Sequence, residues 1–144
     1  MGYTHYWSKK PSLSKNKWEL FTEDVVRLLY DGTNLVCADD AKVNDYPEVN
    51  EDYVRFNGRG EDAHETFYFE RIQTPNTWQQ ADEKGRYFNF CKTARKHYDI
   101  YVVAVLQLAK LHFGNAIELS SDGDDEELKA GIELAKEYYS LEGN

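Results

Sequence analysis

The chain is poor in the residues that carry metal and redox chemistry. Its 144 residues include two cysteines, four histidines, one methionine and three prolines. Cys37 and Cys91 form no CxxC pair. That spacing excludes the usual zinc-ribbon and thiol-redox motifs and makes a reduced, cytoplasmic setting the expectation, with a disulfide left open. No apolar run is long enough to span a bilayer. The opening "MGYTHYWSKKP" has no apolar signal core. Met1-Gly2 is followed by Tyr6 where a myristoylation motif needs Ser or Thr. There is no GxSxG, HExxH, Walker A or dinucleotide fingerprint. Positive charge is scarce too: 17 Lys and Arg stand against 26 Asp and Glu, a net charge of −9. Such a field disfavours direct binding of nucleic acid or of an anionic membrane. It remains compatible with an acidic inhibitor that mimics nucleic acid.

What the chain does have is aromatic and patterned. Hydrophobic residues make up 41% and aromatics 15%, with eleven tyrosines, enough for one globular domain over 1–144. Alternation in "YTHYW" predicts a strand, with Tyr3, His5 and Trp7 on one face and Thr4 and Tyr6 on the other. Ser14 reads as an N-cap for a helix over Lys15 to Tyr30, closed by Gly32. A short strand is expected over Leu35 to Asp40, and loop from Ala41 to Asp52. "YVRFN" and "ETFYFERI" read as strands facing inward through Val54, Phe56, Phe67 and Phe69, and "YFNFCK" as one with Phe88 and Phe90 inward. "YDIYVVAVLQLAKLHFGN" is apolar nearly all round, as in a buried helix, between Asp99 and a terminating Gly114. "AIELS" is a further strand candidate. A last helix follows, capped by Asp122 or Asp124 and buried along Leu128, Ile132, Ala135 and Tyr139. The expectation is an α+β fold: one layered structure, a mixed or antiparallel sheet packed with about three helices.

Two polar clusters stand out. In "NGRGEDAHETF" two glycines flank Arg59, and Glu61, Asp62, His64 and Glu65 follow closely. In "KTARKHYD", Lys92, Arg95, Lys96 and His97 precede the apolar helix, where free N–H groups favour an anion. The bland readings are a hydrogen-bonded loop and a solvated charge run. Metal binding would need more converging ligands than the first cluster offers. "SDGDDEE" lacks the glycine an EF-hand requires at its sixth position and reads as a helix cap. Taken together, the clusters suit a nucleotide-like guest. Lys92, Arg95 and Arg59 would hold anionic groups, and Glu61, Asp62 and His64 would accept or orient hydrogen bonds. Tyr3 and Trp7 would stack on a base, with Tyr6 as another ring at hand.

"MGYTHYW", "FNGRGEDAHETF", "FNFCKTARKHYD" and "SSDGDDEE" occur here in that order. In this the chain resembles a widespread group of short, uncharacterised proteins of phages, prophages and bacteria, over most of its length. The group carries Pro in the third block where this chain has His97, while Asn89, Lys92, Arg95, Tyr98 and Asp99 keep the pattern. The resemblance implies a phage setting and the host cytoplasm. By analogy it suggests an anti-defence protein that sequesters a nucleotide-derived immune signal.

The leading expectation is therefore a non-enzymatic binder of a small anionic ligand, with no cofactor, no metal and no catalytic residue assigned, and with a homo-oligomer compatible. Two other classes stand beside it. One is a metal-dependent nucleotide-processing hydrolase using the 61–65 acids and His64. The other is an acidic inhibitor of a host protein.

Overall fold

A computed structural model describes residues 3–32, 35–38 and 46–140. The elements run β1 (Thr4–Lys9), α1 (Lys15–Asp31), β2 (Val36–Cys37), β3 (Glu48–Val49), β4 (Tyr53–Gly58), β5 (Phe67–Glu70), β6 (Tyr87–Lys92), α2 (Asp99–Phe113), β7 (Ile117–Ser121) and α3 (Asp125–Tyr138). The fold is α+β with two antiparallel sheets. In the first, β1 lies between β6 and β7. In the second, β4 pairs with β2, β3 and β5.

The helices begin and end for local reasons. Ser14 Oγ accepts the Lys17 N–H at the start of α1, and the Gly32 N–H closes its end on the Leu29 carbonyl. Gly114 adopts φ +56 at the end of α2, a turn that suits a residue without a Cβ. Asp124 and Glu127 form a reciprocal capping box at α3. The largely apolar α2 packs against α1, α3 and β7.

An aromatic cluster joins the layers. Trp18 and Phe21 of α1 meet Phe69 of β5 and Phe113 of α2, with Trp18 stacked on Phe69 at 5.9 Å between ring centroids. The Trp18 indole N–H is satisfied by the Asn50 carbonyl at 2.9 Å. Beside this core, buried Asp24 takes hydrogen bonds from Arg27 and from His112 of α2, each at 2.6 Å. A buried carboxylate needs such partners.

Three details depart from the sequence reading. A short strand, β3, lies within the segment expected to be loop. Phe88 and Phe90 point outward, 54% and 47% exposed. The reason is register: Phe90 sits opposite Tyr6 and Cys91 opposite His5, so the inner face of β6 falls to Asn89 and Cys91. The buried stripe of α3 is centred on Gly131 and Ala135, with Leu128, Ile132 and Tyr139 half-buried. Cys37 and Cys91 are both buried, and neither is in a disulfide. Residues 39–45 lie outside the described residues, and with them the end of the strand expected over Leu35 to Asp40.

Candidate functional site

The "NGRGEDAHETF" segment is a loop closed by one side chain. Buried Asn57 donates to the His64 carbonyl at 3.0 Å and to Thr66 Oγ1 at 3.1 Å, and its Oδ1 accepts the N–H groups of His64 and Gly58. Gly58 has no room for a Cβ, which would strike the Asp62 backbone and approach the Tyr98 ring. The close turn therefore explains the first glycine. Gly60 stands at φ +56 and opens a single 3-10 turn carrying Glu61 and Asp62.

This loop and the 92–98 segment meet. The Glu65 N–H donates to the Lys92 carbonyl at 3.2 Å, and the Lys92 N–H returns a bond to Glu65 Oε1 at 3.0 Å. Buried Tyr98 donates its hydroxyl to the Glu65 carbonyl at 2.5 Å. Burial, with the nearby Cys91, pushes the Tyr98 hydroxyl pKa well above its ordinary value, so it remains a donor. At the surface, His97 Nδ1 lies 3.2 Å from Asp62 Oδ2.

The expected ligand residues are distributed as follows. Glu61 and His64 are exposed, Arg59 and Asp62 half-buried. The Arg95 guanidinium lies 4.1 Å from the Tyr3 ring centroid and pairs with Glu127 at 3.0 Å. Tyr3 and Trp7 are each 2% exposed, so neither ring can stack on an incoming base. This corrects the stacking role expected of them. β1 turns that face inward, where Trp7 packs on Phe67 of β5 at 5.2 Å.

The open stacking surface is on the other face of the same sheet. Tyr6 of β1 lies 5.7 Å from Phe88, nearly parallel at 27°, and Phe88 lies 6.1 Å from Phe90. Lys92 continues the row, its Nζ 5.7 Å from the Phe90 ring. At the rim, the Tyr6 hydroxyl donates to Asp122 Oδ1 at 2.9 Å, which raises the Tyr6 pKa. The other Asp122 oxygen accepts the Thr4 N–H. Alternation in "YTHYW" did place Tyr6 opposite Trp7. Bringing Phe88 and Phe90 to it required the β1–β6 register, which sequence spacing leaves open.

The four sequence blocks thus converge at one end of the first sheet. The first supplies Tyr3, His5 and Tyr6; the second, Glu65; the third, Phe88 to Asp99; the fourth, Ser121, Asp122 and Glu127. Among the described residues no three His, Cys, Asp or Glu side chains are gathered as a metal-binding group. No described helix is long and apolar enough to cross a membrane. No family model matches the chain, and neither a curated protein nor a solved structure matches it. The fold and the site define an α+β protein with an open aromatic sheet face beside a junction of charged loops.

Proposed function

We propose that the protein binds a small, planar, anionic ligand of nucleotide type on the Tyr6–Phe88–Phe90 face. The observation that carries this reading is three neighbouring rings held on a rigid sheet, two of them about half exposed, with a lysine against the last. Aromatic rings on a sheet offer any base a π-face, and Lys92 supplies charge at one end of the row. Beyond Lys92, the 59–65 loop offers Arg59 and hydrogen-bonding groups of Glu61, Asp62 and His64. Arg95, engaged by Glu127, would reach an anion by exchanging that partner.

The overall charge of −9 argues for a small guest over a polymer, because a long phosphate chain would meet a repulsive field across the rest of the surface. Holding such a molecule intact fits a phage protein that sequesters a host nucleotide-derived signal in the cytoplasm, the setting the sequence resemblance suggests.

Calorimetric titration with mononucleotides, cyclic nucleotides and cyclic dinucleotides tests the reading. At least one is expected to bind, and Phe90→Ala is expected to weaken it roughly 5- to 150-fold, the range for one stacked base at ~1–3 kcal/mol. Phe90 is half exposed, so thermal stability should change little. Undiminished affinity in Phe90→Ala would remove the aromatic face from the account.

A further inference from the structure

The inner face of β1 holds an arrangement that ligand stacking does not use. His5 is buried between Ser121 of β7 and Asp99 of α2. Its Nδ1 lies 2.8 Å from Ser121 Oγ, and its Nε2 lies 2.6 Å from Asp99 Oδ1. The Thr93 hydroxyl donates to the same Asp99 oxygen. Asp99 occupies the first turn of α2, where the helix end favours a carboxylate. With the carboxylate taking the Nε2–H, Nδ1 becomes the acceptor and the Ser121 hydroxyl its donor. The Gly123 N–H donates to Ser121 Oγ at 3.0 Å and fixes that oxygen from the other side. The two ring nitrogens carry the reverse of their usual roles in serine hydrolases, which imidazole chemistry permits because either nitrogen can accept while the other donates.

This relay opens on a cavity. His5 and Ser121 line a space of about 120 Å³ between α2, β7 and α3, walled by Val103, Leu106, Leu119 and Ile132. The space is well below the ~300–1,000 Å³ of drug-sized pockets. It suits a short acyl chain. Gln107 lines the same cavity and brings an amide, a hydrogen-bond donor, to it.

We infer that Ser121, His5 and Asp99 form a serine acyl-hydrolase site for short-chain acyl esters or thioesters. Ser121 Oγ attacks the acyl carbonyl carbon as His5 Nδ1 takes the hydroxyl proton. The tetrahedral species collapses, the acyl–leaving-group bond breaks, and His5 returns the proton to the leaving alcohol or thiol. Water then attacks the acyl-serine, giving its proton to His5 and its hydroxyl to the acid, and Ser121 regains its proton. Ser121 and His5 are catalytic residues in this scheme, and Asp99 positions the imidazole. The site lies on the opposite face of β1 from the stacking rings, so either can fail without the other.

Intact-mass and peptide analysis after treatment with an alkyl fluorophosphonate tests this directly on the unmodified chain. One adduct on Ser121 is expected, with fluoride released, together with hydrolysis of p-nitrophenyl butyrate. Turnover should fall at least 100-fold in Ser121→Ala and persist in Ser120→Ala. Asp99→Asn should lower kcat and shift the pH profile, which loss of packing alone would not do. Ile132→Phe, which narrows the cavity, should depress butyrate more than acetate turnover. Absence of a Ser121 adduct on the wild-type chain overturns the assignment, as does hydrolysis that survives Ser121→Ala.

Discussion

Lys9 is an unusual residue to find at 0% exposure. It follows Trp7 on the inner face of β1, donates to the Lys10 carbonyl at 3.2 Å and lies 6.0 Å from the Phe69 ring. Burial lowers its pKa to about 8, opposed by the charge of Glu70. Below pH 8 the folded state must carry a poorly solvated ammonium that the unfolded chain carries at no cost. Between pH 8 and the ordinary value of 10.5 the unfolded chain holds this proton and the folded chain has released it, so rising pH favours folding. Lys9→Met, similar in shape, should therefore stabilise the protein at pH 7. The shift corresponds to about 3 kcal/mol, and losing the hydrogen bond leaves a net gain of about 2 kcal/mol. The gain should shrink as pH rises toward 10.5. Urea melts of both proteins at pH 7 and 10 check this, and a destabilised variant at pH 7 would show that the ammonium is a net asset. Burial, with Glu65 nearby, pushes the Cys91 thiol to about 12. The folded protein should thus resist iodoacetamide at pH 8 and react at Cys91 only after unfolding, as mass spectrometry can show.

At the scale of elements, α3 is tied to the site by its first turn. The capping box of Asp124 and Glu127 starts the helix, and Glu127 also holds Arg95 over Tyr3. Gly123 lies against the Tyr3 hydroxyl, where a Cβ would collide with it. Asp124→Ala should cost about 1 kcal/mol in chemical denaturation, the usual worth of such a cap. Gly123→Ala, which forces Tyr3 or the turn to move, should cost more than Asp124→Ala in the same assay. The helix signals here were legible: the cap at Ser14 and the glycines at 32 and 114 stand where the sequence put them, and of Asp122 and Asp124, both candidates for the last cap, Asp124 takes it. Strand faces were legible where one face had an evident owner, as with Val54 and Phe56 of β4 and Phe67 and Phe69 of β5; in "YTHYW" the alternation was legible, but not which face is buried. They were not in "YFNFCK", where both faces carry rings or apolar groups and only pairing with β1 decides which side is covered. For the same reason His5, Thr93, Asp99 and Ser121 stayed dispersed: their meeting depends on β1 lying between β6 and β7.

At the scale of the whole molecule, the first sheet has one covered face and one open face. On the inner face His5 meets Asp99 of α2, while Trp7 and Lys9 lie against the rings of β5. The outer face keeps Tyr6, Phe88 and Phe90 in the open beside Lys92. Leaving neighbouring rings exposed gives up burial they could have contributed, and such patches commonly mark binding surfaces. The two polar clusters, separated in sequence, are joined through Glu65 and Lys92 at the end of that row. The charged junction and the rings therefore belong to one region of the surface.

The most direct measurement is recovery of the bound molecule. The protein would be equilibrated with a nucleotide-rich bacterial extract, reisolated and heated, and the released small molecules identified by mass spectrometry, with Phe88→Ala/Phe90→Ala treated in parallel. An intact nucleotide-derived compound is expected from the wild type, strongly depleted in the variant although it remains folded. Recovery of no such compound, or of equal amounts from both proteins, would contradict it.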